Sequence, residues 1–192
     1  MSMVALTAPT IAEALIDVVA SAVAISACEK GGRWAEALLL FSAAKERNAV
    51  NAVLYNASIS ACGSCSRWRV ALALLSRAQQ EQVELTMISF NACITACEKA
   101  SRWQESLQIL RQSKMIGLQP SLISYNAAAL ACQKTAQWQY GLSILEDLSE
   151  LKWQPSSITY DAVLNSCEAD CRFKEVSEIL ACLQDEFSQL VC

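Results

Sequence analysis

The chain contains no histidine. That removes the side chain most often used as a general base near neutral pH, and with it the usual catalytic triads. Proline and glycine are scarce, 3 and 5 among 192 residues. Such counts argue against a disordered chain and against an all-β protein full of tight turns. The first 29 positions hold no basic residue, so neither the charged start of a secretory signal nor an Arg-rich transit peptide is visible. Long apolar runs are missing too. The longest, Val18 to Cys28, is too short to cross a bilayer and is broken by Ser21 and Ser26. No membrane partner is expected. No stretch alternates with a period of two, so no strands are expected, and no glycine-rich phosphate loop is present.

What the chain has is apolar surface. Hydrophobic residues make up 54% and charged residues 18%. Helices buried on more than one side would give that balance. The net charge of −4 is unevenly spread. Residues 1–29 and 157–192 are acidic, while 30–156 carry 13 bases against nine acids. The middle is therefore mildly basic, well short of the strongly basic domains usual in nucleic-acid binders. Ten cysteines are present, and Cys62-x-x-Cys65 has the spacing of half a zinc site. No second pair and no histidine complete it, so no metal and no cofactor are expected.

The cysteines are better explained by a period. Cys28, Cys62, Cys97, Cys132 and Cys167 stand 34, 35, 35 and 35 residues apart. Trp34, Trp68, Trp103, Trp138 and Phe173 keep the same spacings, as do Tyr55-Asn56, Phe90-Asn91, Tyr125-Asn126 and Tyr160-Asp161. Periods of this length mark stacked supersecondary units. The copies are set at 18–51, 52–86, 87–121, 122–156 and 157–191, with 1–17 as a tail and the start of a capping helix. Thr10 and Glu13 have capping-box spacing. The first copy is degenerate, lacking the aromatic and the Asn, and the last is degenerate as well.

Two helices are readable in each copy. The first runs from the aromatic to the cysteine. Small residues at Ala57, Ala92, Ala127 and Ala162, and at Ala27, Ala61, Ala96 and Ala131, would let helices approach closely. The second begins at the Arg-Trp pair, with Ser66 and Ser101 where an N-cap belongs. It carries apolar residues at helical period, such as Trp103, Leu107 and Leu110. Pro120 and Pro155 are expected to stop it. The tryptophans are expected to wedge into the neighbouring copy as core residues, each costing about 3–5 kcal/mol on truncation to Ala. The fold class expected is all-α, a solenoid of about five helix-turn-helix repeats of 34–35 residues. The five cysteines of the column read as small buried packing residues.

The unit Tyr-Asn-Ala-x-Ile-x-Ala-Cys-Glu-Lys-x-x-Arg-Trp, closing with Gln-Pro-Ser, resembles the pentatricopeptide repeat. The likeness covers about 18–191 and is strongest over 52–156. The Cys-Glu-Lys-x-x-Arg-Trp segment looks like the divergent versions abundant in some algal protists. The resemblance implies a right-handed solenoid. It also implies a non-catalytic protein that binds single-stranded RNA, one base per repeat, in organellar RNA processing, stability or translation. The location it implies is a chloroplast or mitochondrion; without a transit peptide the expectation is otherwise cytoplasmic.

By the same resemblance, bases are read by Asn56 with Thr86, Asn91 with Ser121 and Asn126 with Ser156. Three pyrimidines, cytosine before uracil, are the expected ligand. Val53, Ile88, Ile123 and Ile158 take the place of base-clamping residues, and Lys30, Lys99 and Lys134 that of phosphate contacts. Ser64 and Ala169 break the lysine column. Ala22 and Asp161 depart from the reading pattern, so the end copies are expected to read nothing. Three readers make a weak binder, which points to self-association or work inside a larger complex. The family's nuclease and deaminase extensions have no counterpart in the sequence. The competing expectation is a scaffold for protein partners, since helical solenoids offer long concave surfaces.

Overall fold

The computed structural model describes residues 11–177, apart from 48, 49, 173 and 175. The tail 1–9, the Thr10 cap and Phe173 fall outside the described residues, as do most residues beyond α9. The described residues form helices and no strand. In order they are α1 (Ile11–Lys30), α2 (Trp34–Glu46), α3 (Ala52–Ser64), α4 (Trp68–Gln80), α5 (Met87–Lys99), α6 (Trp103–Met115), α7 (Leu122–Gln133), α8 (Trp138–Glu150) and α9 (Ser157–Ala169).

The first helix of a hairpin starts on a polar cap. Asn51 accepts the Leu54 amide at 3.1 Å and Ser156 accepts that of Thr159 at 3.3 Å. The Ser121 amide donates back to Ser124 Oγ at 3.0 Å. Each cap satisfies an amide that the helix itself leaves open.

The turns out of the helices share one geometry. Gly32, Ser66, Ser101, Ala136 and Cys171 all have φ between 53° and 68°. The residue after each donates its amide to the column cysteine: Arg33 to Cys28, Arg67 to Cys62, Arg102 to Cys97, Gln137 to Cys132 and Arg172 to Cys167, at 2.8–2.9 Å. This is a Schellman ending with a left-handed residue. Ser66 and Ser101 are therefore not N-caps. They close the preceding helix, and the next helix starts at Arg67 or Arg102 without a side-chain cap. The second helices end in the same way, on Gln82, Gly117 and Lys152. Val83, Leu118 and Trp153 donate back to Ala78, Ser113 and Leu148. Pro120 and Pro155 come after these turns, so the left-handed residue, not proline, stops the helix.

The chain resolves into two compact units, Met1–Ala96 and Cys97–Cys192. In the first, α1 packs on α3, with α2 and α4 against them. Its core includes Ile25, Phe41, Leu54, Tyr55 and Ile59. The Phe41 and Tyr55 rings meet edge-on at 4.9 Å, a favoured aromatic geometry. Gly63 lets α3 lie close to α5: a Cβ there would sit 2.8 Å from the Ala92 carbonyl oxygen. In the second unit α7 packs on α9, and α6 and α8 flank them. Tyr125, Ile144, Leu148, Val163 and Cys167 are buried there.

The tryptophans are not the core. Trp34, Trp68, Trp103 and Trp138 are half-buried, whereas Tyr55, Phe90 and Tyr125 are fully buried. The reason is where the helix starts. A tryptophan in the first turn lies at the end of the hairpin, where one ring face can pack and the other stays open, met by the next hairpin's arginine at Trp34 and Trp138. Trp138 packs against the Val163–Cys167 cluster. The Arg172 guanidinium lies 4.7 Å from its ring centroid, and Trp138 Nε1 donates to Asp170 at 2.7 Å. Arg67 covers Trp34 at the same distance. The large truncation cost belongs to the Tyr/Phe column instead.

Candidate nucleic-acid interface

Apolar side chains in a helical protein are normally turned inward, so those that are not carry information. Val53, Ile88, Ile123 and Ile158 are 55%, 65%, 67% and 49% exposed. Each stands at the second residue of its first helix, and the aromatic two positions on enters the core fully at Tyr55, Phe90 and Tyr125 and partly at Tyr160. Three positions on from the exposed residue, one turn along the same face, come Asn56, Asn91, Asn126 and Asp161. The three asparagines are half-buried and Asp161 is exposed.

Two clusters can be drawn, one in each unit. The first holds Val53, Asn56, Thr86 and Ile88. There the buried Ser89 hydroxyl donates to Asn56 Oδ1. The second holds Ile123, Asn126, Ser156 and Ile158. Ser156 Oγ donates to Asn126 Oδ1 at 2.9 Å, and the buried Thr159 hydroxyl donates to the same oxygen. In both, an asparagine of one hairpin is tied to a hydroxyl of the next. The remaining expected pair is divided, with Asn91 in the first unit and Ser121 in the second. Thr86 is exposed and Ser121 half-buried.

Lys30, Lys99 and Lys134 are exposed on the last turn or just past the end of α1, α5 and α7. Lys134 is held by Glu98, to whose carboxylate and carbonyl it donates at 2.5 and 3.2 Å. A phosphate there would meet a lysine whose charge is already balanced. Glu29, one column-mate of Glu98, accepts the Ser60 hydroxyl at 2.5 Å.

The cysteine column is buried. Burial pushes the Cys62 thiol up to about 11 and those of Cys97 and Cys132 up to about 12. Buried thiols that keep their proton are poor nucleophiles and poor ligands. Among the described residues no cluster of three or more Cys, Asp or Glu could hold a metal ion. No described helix is long and apolar enough to cross a membrane.

A pentatricopeptide repeat domain model matches residues 73–135 and 108–170, more than half of the chain. A second, the PPR repeat, matches 23–48. The chain belongs to the pentatricopeptide repeat family. No curated protein matches it. Among solved structures it is similar to the pentatricopeptide repeat domain of Arabidopsis thaliana protein-only RNase P 1, in complex with tRNA. The TM-score is 0.71 at 19% identity, over 85% of this chain and 86% of that one. It is also similar to nuclear proteinaceous RNase P 2 from A. thaliana, with TM-score 0.75 at 14% identity, over 86% of this chain and 38% of that one. A third is the pentatricopeptide repeat protein PPR10 of maize, in complex with an 18-nt psaJ RNA element. Its TM-score is 0.70 at 19% identity, over 88% of this chain and 25% of that one. These likenesses carry the all-α helical-repeat fold. The chain spans well under half the length of the last two.

Within this pentatricopeptide repeat chain, the family pattern passes over some residues that the structure brings forward. Val19 is 55% exposed and stands 34 positions before Val53, so the exposed aliphatic column reaches α1. The period was the signal for it. Ser89 and Thr159 were overlooked because a hydroxyl in a first helical turn is unremarkable by sequence. The signal was their column, in which Ser124 also falls.

Proposed function

We propose that this chain binds single-stranded RNA through the exposed faces of its first helices. The observation that carries the reading is the register of exposed aliphatics with half-buried asparagines. Val53, Ile88, Ile123 and Ile158 leave about half or more of their surface in water, at a cost that a planar base laid over them would remove. An asparagine beside each of the first three offers an amide at the height of a base edge. Cytosine and uracil, whose edges suit a short amide, are the proposed bases, about three of them. The RNA-bound relatives in the fold comparison support the same reading. With no histidine and no nucleophilic thiol in the cysteine column, the repeats are proposed to bind without cutting. Action in organellar RNA metabolism is proposed from the family.

The test is binding of the whole chain to short oligocytidylate by fluorescence anisotropy at low salt. Asn56→Ala with Asn126→Ala should weaken binding by about tenfold or more, at roughly 1–3 kcal/mol per base contact. No binding by the unmodified chain at low salt would sink the reading.

A second reading is a protein-binding scaffold, and one observation favours it. On the outer face of α6, Trp103, Leu107, Arg111 and Met115 line a groove of about 640 Å³ with Tyr140 of α8. Met115 is 86% exposed there. A partner retained after ribonuclease treatment, and lost on Met115→Glu, would support that reading over RNA.

A further inference from the structure

An asparagine side chain is ambiguous, because its amide donates from one end and accepts at the other. Which end faces a ligand decides what it selects. In the second unit the Ser156 oxygen already takes the Thr159 backbone proton, at 3.3 Å. Its hydroxyl lies 3.0 Å from the Thr159 hydroxyl and donates to Asn126 Oδ1 at 2.9 Å. The Thr159 hydroxyl, fully buried, points at the same oxygen. Two hydroxyl protons meet the two lone pairs of one carbonyl. The reversed amide would put an NH2 behind the reading face, so the Thr159 proton would have to turn to Ser156 Oγ, 3.0 Å away, and Ser156 would lose Asn126 as its acceptor. In the first unit the fully buried Ser89 hydroxyl holds Asn56 in the same sense.

We propose that Ser89 and Thr159 are positioning residues that lock the reading amides of Asn56 and Asn126 with the oxygen inward and the NH2 outward, making each a donor-only reader. The inference rests on the RNA-binding reading and says which base that site prefers. An outward NH2 suits cytosine, whose N3 and O2 are adjacent acceptors. It suits uracil less well, because the uracil N3 carries a proton facing the same way. Selection for cytosine is therefore set one hairpin away from the asparagine that touches the base. Asp161 marks the contrast: a carboxylate in that column can only accept.

The test compares oligocytidylate and oligouridylate on the whole chain and on Ser89→Ala with Thr159→Val. Removing the Ser89 hydroxyl frees the Asn56 amide to turn and accept the uracil proton, and removing that of Thr159 leaves the Asn126 amide held by Ser156 alone. The unmodified chain should prefer cytosine, and the variant should lose about five- to tenfold of that preference per released amide, the worth of one hydrogen bond. Ser89→Thr with Thr159→Ser, which keeps both hydroxyls, should retain it. A purely structural role would weaken both oligonucleotides alike and leave their ratio unchanged, and that result overturns the inference. Failure of the unmodified chain to bind either oligonucleotide is a different outcome, and it sinks the RNA reading itself. Independently of how the variants fold, side-chain 15N relaxation should show the Asn126 amide as rigid as the backbone in the unliganded protein. A freely reorienting amide would also overturn the lock.

Discussion

Replacing Gly63 by Ala sets two effects of opposite sign against each other. Alanine is the better helix former, by about 0.8–1.0 kcal/mol in a helix interior. Against that, the added Cβ would lie 2.8 Å from the Ala92 carbonyl oxygen and 3.7 Å from Ala96 Cβ. The first distance is well inside van der Waals contact, and the atom is backbone on α5. It cannot rotate away as a side-chain tip would, so α3 and α5 must part by several tenths of an ångström along their contact. Overpacking of this kind costs about 1–3 kcal/mol. The net expectation is a loss of about 1 kcal/mol, which for a chain of this size lowers Tm by roughly 2–4 °C. The loss should appear in circular-dichroism melts and as faster amide exchange in α3 and α5. Gly31→Ala is the control in the same unit, because its nearest neighbour is the mobile end of Arg33 at 3.4 Å. If Gly63→Ala melts at or above the unmodified chain, helix propensity has won. The close approach of α3 to α5 would then be soft, and the reasoning from it wrong.

The left-handed turns make the opposite prediction. Ala136 holds φ +53° where Gly32 stands in an equivalent turn, and that conformation costs a residue with a Cβ about 1–2 kcal/mol. Ala136→Gly should therefore stabilise by about 0.5–1 kcal/mol after the extra freedom glycine has when unfolded, as read by urea titration; an unchanged or lower midpoint would contradict the geometry. Glu81 accepts from Lys45, from Tyr55 at 2.7 Å and from Arg77 at 3.1 Å. Hydrogen bonds from Lys45 first and then Tyr55 hold its carboxyl down at about 2, against an ordinary 4.5. A depressed carboxylate stabilises the fold above the unfolded value and loses that contribution as pH falls through the folded one. Glu81→Gln should thus lower stability at neutral pH, with the difference from the unmodified chain closing between about pH 4.5 and about pH 2. A difference that stays constant across that window would remove Glu81 from the account.

How much could be read without coordinates depended on whether a column had one physical cause or two. The period placed the second helices, which start at the recurring tryptophan, while the first helices start three residues ahead of the aromatic from which the sequence dates them. The burial of the cysteines was legible as well: a small apolar residue at a fixed position has one use. Serine had two. Ser66 and Ser101 could cap the next helix or close the last, and the sequence alone favours the cap. The glycines at Gly32 and Gly117 were the clue, since they occupy the equivalent turns and glycine is what a left-handed residue asks for. Tryptophan had two uses also, and burial went to Tyr55, Phe90 and Tyr125, whose positions inside the first helices leave no exposed side. The pairing of Lys134 with Glu98 joins residues 36 apart, a relation that only the stacking of hairpins creates.

That last pairing bears on where binding energy would come from. Nucleic-acid binders usually draw much of their affinity from lysine and arginine on phosphate. Here Lys134 is balanced by Glu98, Lys114 by Asp147 at 2.7 Å and Lys45 by Glu81, and the chain as a whole is at −4. Each of these pairs links one hairpin to the next, so three of the lysines that could attract RNA are already engaged between hairpins. What is left open is the opposite of a charge: four exposed β-branched residues at one repeat position, two of them with an amide held by a hydroxyl beside them. On the proposed RNA reading, a strand held here would draw more on its bases than on those three lysines. On the same reading, the hydroxyls behind Asn56 and Asn126 would matter more than their size suggests. Where phosphate contacts are weak, the direction in which an amide points is a large part of what distinguishes one strand from another.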